Sequence, residues 1–213
     1  MMRHQAGATL ISLLVGMLIS MLCLLGVLSA YRTMVKTGVV SRVAATHDAE
    51  LQNGLTTSHL YVQNAGFGLE GQNNLLIATI SINSQSTSAL LWRYKDNGSI
   101  VCQGLADIQS TDSKRNLILL ENNTSCNSTQ PLNEITWLTK STLAHLEDYS
   151  SDHSNPQQVN FVEHPSACTP FGALTQENPE LHPLVTISAK TSTQSIAGLD
   201  SIQVPLCLLN ITS

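Results

Sequence analysis

The chain has 213 residues, of which 42% are hydrophobic and 12% are charged, and its formal net charge is −5. Residues 1–42 carry four cations and no acid, whereas the remaining residues carry six cations and fifteen acids. Binding to DNA or RNA depends on a basic surface, so the acidic part of the chain gives no electrostatic footprint for nucleic acid. The length leaves room for one globular domain after a long N-terminal helix.

An uncharged stretch, Ala8 to Tyr31, follows a short basic leader at residues 1–7. A helix rises about 1.5 Å per residue, so this stretch is about 36 Å long and can cross a hydrocarbon core of about 30 Å. It is longer than the apolar region of about 7–15 residues in a cleaved secretory signal peptide. We therefore predict a transmembrane helix at residues 8–31, with an uncleaved signal anchor as an alternative.

Small side chains recur along one face of this span, at steps of three or four residues. They are Ser12, Gly16, Ser20, Gly26 and Ala30, with Cys23 on the same face. Small residues let the backbones of membrane helices approach closely, so such a face favours helix packing. The alternative is that Gly and Ser are merely tolerated in a membrane helix.

The helical pattern continues beyond the span. Val39, Val43, Leu51 and Leu55 recur at helical spacing, and no proline occurs before Pro131. We predict one helix from residue 8 to about residue 60, with residues 32–65 as its amphipathic continuation. The sequence Asn-Ala-Gly-Phe-Gly at residues 64–68 marks its end.

Residues 66–213 alternate between apolar and polar side chains, which predicts a β-rich head domain. Strands are predicted at residues 75–82, 89–94, 99–103, 116–120, 134–138, 159–162, 184–189 and 201–211. Asp96-Asn97-Gly98 indicates a hairpin, and Pro205 indicates that the last strand lies at an edge or is broken there. We expect an α+β fold in which an antiparallel sheet packs on the long helix.

Five cysteines occur, one in the span (Cys23) and four in the head: Cys102, Cys126, Cys168 and Cys207. Four cysteines can pair in three ways, and an oxidising compartment favours bridges. We prefer Cys102 with Cys126 and Cys168 with Cys207, although the sequence does not decide the pairing. Reduced, buried thiols are the alternative.

No catalytic or metal-binding motif is recognisable. The seven histidines are dispersed, no Cys or His group has zinc spacing, and the sequence has no nucleophile elbow, phosphate loop or dinucleotide fingerprint. We expect His47 to be packed or solvated rather than a ligand. Trp92 and Trp137 are expected in the core or on a sheet face rather than as ligand platforms. We expect Phe67 to be a packed staple, with an exposed contact as the alternative. We predict no enzyme, no metal and no cofactor.

The order of basic head, Gly7, Ala8 and apolar helix resembles the class III leader of type IV pilins and pseudopilins. The resemblance implies that prepilin peptidase cuts between Gly7 and Ala8, that Ala8 is methylated, and that the helix stays on the mature protein. Two further stretches resemble minor pilins of the PilW type. LYVQNAGFG at residues 60–68 looks like their R-x-AG-[YF]-G segment after the long helix, and GLDSIQV at residues 198–204 looks like their C-terminal strand. The middle of the chain is unmatched.

Two positions depart from the family pattern. The first mature residue is usually Phe and the fifth is usually Glu, where this chain has Ala8 and Ser12. In that family the Glu carboxylate attracts the N-terminal amine of a neighbouring subunit, since an unpaired charge in hydrocarbon costs several kcal/mol. Ser12 cannot supply this attraction. A subunit that begins a filament has no earlier amine to pair, so Ser12 predicts a position at the tip.

The resemblance implies a pilin-like fold and a minor pilin that primes a type IV pilus, in support of adhesion, twitching motility or DNA uptake. Its implied partners are prepilin peptidase, other minor pilins and the major pilin, with no nucleic acid bound directly. A single span would hold it in the inner membrane before assembly, with the head in the periplasm and later at the cell surface. The alternatives are a type II secretion pseudopilin and a signal-anchored periplasmic binding domain.

Overall fold

A computed structural model describes residues 10–110, 114–122, 126–150, 152, 154–168, 181–193 and 201–211. Within these residues the chain forms one long α-helix, one short 3-10 helix and eight strands. The chain divides into two compact units at residues 45 and 46. The fold is therefore α+β, as predicted.

Helix α1 runs without interruption over Leu10–Val62, which confirms the prediction of one long N-terminal helix. Its last turn is closed by the amide of Ala65, which donates to the carbonyl of Val62 at 2.9 Å. Gly66 follows with a φ of 77°, a conformation that favours glycine. A Cβ at Gly66 would lie 2.3 Å from Cγ1 of Ile211, so this position also requires a residue without a side chain.

The head contains two antiparallel sheets, where the sequence predicted one. The first has the order β1-β2-β3-β4-β5, formed by β1 (Leu75–Ile82), β2 (Gln85–Asp96), β3 (Ser99–Gln109), β4 (Arg115–Asn122) and β5 (Leu138–Leu146). The second has the order β6-β7-β8, formed by β6 (Val159–Ser166), β7 (His182–Ala189) and β8 (Ile202–Cys207). Pro205 lies in β8, at the edge of the smaller sheet, as predicted.

The turn between β2 and β3 is the predicted hairpin. Asp96 pairs with Ser99, and the two residues between them, Asn97 and Gly98, have φ values of 47° and 84°. Positive φ at both central residues matches the right-handed twist of the flanking strands. The turn between β1 and β2 is equally short, because only Asn83 and Ser84 separate the strands, both with positive φ. Residues 85–88, which lie between the predicted strands 75–82 and 89–94, therefore belong to β2.

The two faces of the larger sheet have separate cores. One face packs on the end of α1 and on the smaller sheet; it includes Leu51, Leu55, Leu90, Trp92, Leu105, Leu117, Val185 and Ile187. The other face is covered by the segment around a 3-10 helix, Leu132–Glu134; it includes Leu91, Cys102, Ile118, Leu120, Leu132, Ile135 and Trp137. Both tryptophans are buried, as predicted. We call the second face the outer face.

Two further predictions about the head were wrong. Residues 134–137 do not form a strand, because Ile135 and Trp137 bury their side chains on the outer face instead of pairing with a neighbour. The strand begins only at Leu138 and extends to Leu146, where no strand was predicted. Phe67 is not a packed staple: it is 60% exposed, and its backbone carbonyl accepts a hydrogen bond from the amide of Lys95 at 2.8 Å.

Candidate functional site

The N-terminal part of α1 is the most unusual surface of the molecule. Every large apolar side chain from Leu10 to Val43 is exposed, including Leu10 at 78% and Met34 at 74%. Among the described residues, α1 is the one helix long and apolar enough to cross a membrane. Burying a side chain such as Leu is worth about 1.5–3 kcal/mol, so this surface is compatible with a single-pass membrane anchor and equally with a signal sequence.

The predicted small-residue face lies on this exposed surface. A Cβ at Gly16 or Gly26 would meet nothing within 4 Å, so another backbone has room to approach there. The hydroxyl of Ser20 donates to the carbonyl of Gly16 at 2.8 Å. Such back-bonding satisfies the hydroxyl within its own helix. Ser12 and Ala30 are also exposed, so the structure is compatible with packing along the whole face.

The same face continues beyond the predicted residues. Two shallow grooves follow it, one beside Gly16 and Ser20 and one lined by Ala30, Thr33, Met34, Thr37, Gly38 and Ser41. Successive helical residues are about 100° apart, which places Thr37 and Ser41 on the stripe of Ala30 and places Arg32 on the opposite side. The predicted face ended at Ala30. Small side chains continue beyond it at steps of three or four residues as far as Ser41, and this spacing was the sequence signal for the longer face.

The predicted processing site lies outside the described residues. Gly7 and Ala8 precede Leu10, the first residue that the structure describes. The cut between them therefore stays a prediction. Among the described residues of α1 from Leu10 to Tyr31 no side chain is charged.

The head has two disulfides, Cys102–Cys126 and Cys168–Cys207, which is the pairing preferred from the sequence. The first ties the segment before Leu132 to β3, and the second ties the end of β6 to the end of β8. Cys23 is free and exposed on α1. Each bridge closes a loop of the head and so restricts the unfolded chain.

A buried ion pair links the two sheets. The Nε of Arg115 donates to Oδ1 of Asp107 at 2.8 Å, while the amides of Gln158 and Val159 donate to Oδ2 at 2.6 and 2.9 Å. Burial raises the pKa of Asp107, and the Arg115 charge and the two amides oppose that rise. Because the Asp107 carboxylate also accepts hydrogen bonds from the amides at the start of β6, it holds β6 on the larger sheet. No local pattern in the sequence indicates this ion pair.

His47 is packed and lies among protein groups. Its ring lies 5.1 Å from the ring of Tyr149, and burial lowers its pKa. The nearest carboxylate oxygen, on Asp48, is 4.0 Å from Nδ1. The described residues contain no group of three or more His, Cys, Asp or Glu able to hold a metal ion.

A cavity of about 520 Å³ opens on the outer face of the larger sheet, beside Arg93. Arg93 is 2% exposed and lies directly opposite Cys102 in the β2–β3 register. Neither the burial of Arg93 nor the cavity was predicted from the sequence. The one available signal was a charge within the apolar run ALLWRY of β2, where a buried strand normally has none.

No protein-family model matches the chain, and no curated protein or solved structure shows significant similarity to it.

Proposed function

We propose that this chain is a minor pilin or pseudopilin of the PilW type that primes a type IV pilus and sits at or near its tip. The observation that carries the proposal is the division of α1. From Leu10 to Tyr31 the helix exposes an uncharged apolar surface, while Leu51, Leu55 and Val62 are buried in the core of the head. A subunit that is anchored before assembly and bundled afterwards needs both parts in one helix.

The exposed part of α1 serves in two apolar environments. In the inner membrane the acyl chains cover it as a single span, and in the filament the helices of other subunits cover it. Lipid tails are as apolar as leucine, so moving between the two environments changes little hydrophobic free energy. Close contacts along the face of Gly16, Ser20 and Gly26 then favour the bundle.

The proposed partners follow from this role. Prepilin peptidase removes residues 1–7, the major pilin and other minor pilins pack against α1, and the head contacts neighbouring heads. The work of the protein is packing rather than catalysis. Adhesion, twitching motility or DNA uptake would depend on the pilus that it helps to start.

The decisive experiment is mass spectrometry of the N-terminal peptide from membranes. We expect a chain that begins at Ala8, with a methylated amine. Substituting Gly7→Val is expected to leave residues 1–7 in place and to reduce surface fibres to the number found in a deletion strain. Gln5→Ala is the control in the same leader. A wild-type chain that keeps Met1, or a deletion strain with normal fibres, would contradict the proposal.

The tip position has a test of its own. Ser12→Glu restores the carboxylate that a repeating subunit uses, and we expect it to redistribute the protein from the tip into the shaft. Leu25→Glu is the control, because it carries the same charge at an exposed position on the side of the helix away from the small-residue face. Labelling of wild-type protein along the whole shaft, with Ser12→Glu unchanged, would rule out the tip position.

Two related candidates remain testable. A type II secretion pseudopilin has the same leader and helix, and co-purification with secretion components instead of pilus components would identify it. A signal-anchored periplasmic binding domain is favoured by the cavity beside Arg93. An unprocessed N terminus would support that candidate.

A further inference from the structure

Among the described residues, Arg93 is a buried cation without a counter-ion. Its Nη1 donates to the carbonyl of Asn127, and its Nη2 donates to the carbonyls of Asn73 at 3.0 Å and Gln130 at 2.8 Å. Its Nε has no hydrogen-bond partner in the part of the chain that the structure describes. Within the described residues, the ion pairs join other side chains and none includes Arg93. Carbonyl dipoles hold the guanidinium but do not neutralise its charge.

The half-buried Arg115 shows what this head does when an arginine is purely structural. The side chain of Arg115 is 12% exposed and donates from Nε to the carboxylate of Asp107 at 2.8 Å. A buried charge is costly unless it is paired. Arg93 is more deeply buried than Arg115, and burial lowers its pKa because the charged form is disfavoured away from water.

The cavity of about 520 Å³ lies against this uncompensated charge. Pockets that bind small molecules are typically about 300–1,000 Å³. Its lining is mixed: Leu75, Leu76, Pro131 and Leu132 contribute apolar surface, and Asn73, Ser128, Thr129 and Gln130 contribute at least as much polar surface. One cation within a lining of mixed polarity fits an organic acid with a short apolar group better than an inorganic anion.

The rim of the cavity is held in place independently of any occupant. The side-chain oxygen of Asn127 accepts hydrogen bonds from the amides of Thr129 and Gln130 at 2.9 and 2.7 Å. The preceding residue, Cys126, is bonded to Cys102, which lies opposite Arg93 in the β2–β3 register. The rim segment is thus fixed to the sheet by the disulfide and by the hydrogen bonds that its carbonyls accept from Arg93. The site is therefore largely pre-formed.

We propose that the cavity on the outer face binds a carboxylate that carries a short apolar group, with Arg93 supplying the positive charge. Such a group has two sources, a free organic acid or the C-terminal carboxylate of a protein chain. This inference goes beyond the proposed role in pilus assembly and does not depend on it.

The test is isothermal titration calorimetry on the detergent-solubilised full chain. The probes are 3-methylbutanoate and a short peptide that ends in Leu with a free carboxylate, each compared with its neutral amide. We expect saturable binding of at least one acid and no binding of either amide. Binding of the small acid alone identifies a free organic acid, whereas binding of the peptide identifies a chain terminus.

Variants place the binding in the cavity. Ser128 is exposed at the rim, so Ser128→Trp is expected to fill part of the cavity and weaken acid binding about tenfold or more without disturbing the core. Ser141→Trp, at an exposed position of β5, is the matched control and is expected to bind as wild type. Arg93→Gln is expected to abolish binding. If that variant fails to fold, the Ser128→Trp comparison still decides.

The outcomes that overturn the inference are specific. If Arg93 serves only to hold the rim segment, neither acid binds. Equal binding of acids and amides would show that charge plays no part, and equal binding of inorganic phosphate would show that the apolar side chains of the lining play none. Undiminished binding by Ser128→Trp would place the site elsewhere. Since calorimetry does not depend on fibre assembly, these results are separate from the test of the proposed function.

Discussion

Helix α1 has two stretches that belong to different compact units. The more hydrophobic stretch is the less buried one. Residues 10–45 are the more apolar stretch, yet all their large apolar side chains are exposed. Residues 46–62 include His47, Gln52, Asn53 and several hydroxyl side chains, yet they bury Leu51, Leu55 and Val62.

The difference teaches that composition alone does not decide burial within this helix. The second stretch is buried because the larger sheet offers it a complementary surface at Leu90, Trp92 and Leu117. The first stretch has no such partner surface among the described residues, and its part from Leu10 to Tyr31 carries no charged side chain, which is compatible with a membrane anchor. Substitutions in the two stretches should therefore affect different properties of the protein.

The largest contrast is expected from leucines. Leu51→Ala removes a fully buried side chain and should lower the free energy of unfolding of the head by about 2–5 kcal/mol. Leu25→Ala removes an exposed one and should change it by less than about 0.5 kcal/mol. Urea unfolding of the detergent-solubilised chain, followed by fluorescence, measures both values because Trp92 and Trp137 lie buried in the head.

A smaller contrast is expected from glycines. A Cβ at Gly54 would lie 2.8 Å from Cβ of Ala144 and 3.2 Å from the carbonyl oxygen of Leu143. Overpacking of this kind costs about 1–3 kcal/mol, so Gly54→Val should destabilise the head. At Gly26 a Cβ meets nothing within 4 Å, so Gly26→Val should leave the unfolding curve unchanged and instead reduce the number of fibres.

The glycine pair has an internal control. Replacing Gly by Val within a helix changes helix propensity by the same amount, below about 1 kcal/mol, at both positions. The difference between the two unfolding curves therefore isolates the contact with β5. Equal curves would contradict the packing of α1 on β5, and normal fibre numbers with Gly26→Val would contradict close packing along the small-residue face.

Local patterns in the sequence were sufficient to predict several elements of the fold. The long helix, the Asn97-Gly98 hairpin and the edge position of Pro205 all follow from local rules on spacing, φ and backbone donors. These features depend on residues that are neighbours in the chain. They were accordingly predicted in the right place.

Apart from the two disulfides, whose pairing was preferred from the sequence, several features that depend on distant contacts were missed. Strand β5 begins with the exposed residues Leu138 to Thr142, which show no alternation, and its pairing is interrupted by two register shifts against β4. The Asp107 carboxylate receives hydrogen bonds from residues 51 and 52 positions further along the chain. The partners of Arg93 lie 20 to 37 positions away. No local pattern indicates which of these polar residues the fold will bury.

The smallest expected effect concerns pH and the start of the buried stretch. Burial lowers the pKa of His47 below its ordinary value of 6.5, although Asp48, Glu147 and Glu50 oppose the shift. Between the folded and unfolded pKa values the unfolded chain binds more protons, so acidification through this window favours unfolding. The contribution of His47 to the free energy of unfolding is complete above about pH 6.5 and is lost as the pH falls towards the folded pKa. The loss is about 1.4 kcal/mol for each pH unit by which the unfolded and folded pKa values differ.

His47→Phe keeps a ring against Tyr149 and removes the titrating group. Its melting temperature should therefore fall less steeply than that of the wild type as the pH drops below about 6.5. His145→Phe, at an exposed position of β5, is the matched control and should keep the wild-type slope. Parallel curves for wild type and His47→Phe would mean that His47 is as accessible to protons as an exposed histidine. In that case the buried stretch of α1 would begin nearer Leu51, and the boundary between the two stretches would move along the helix.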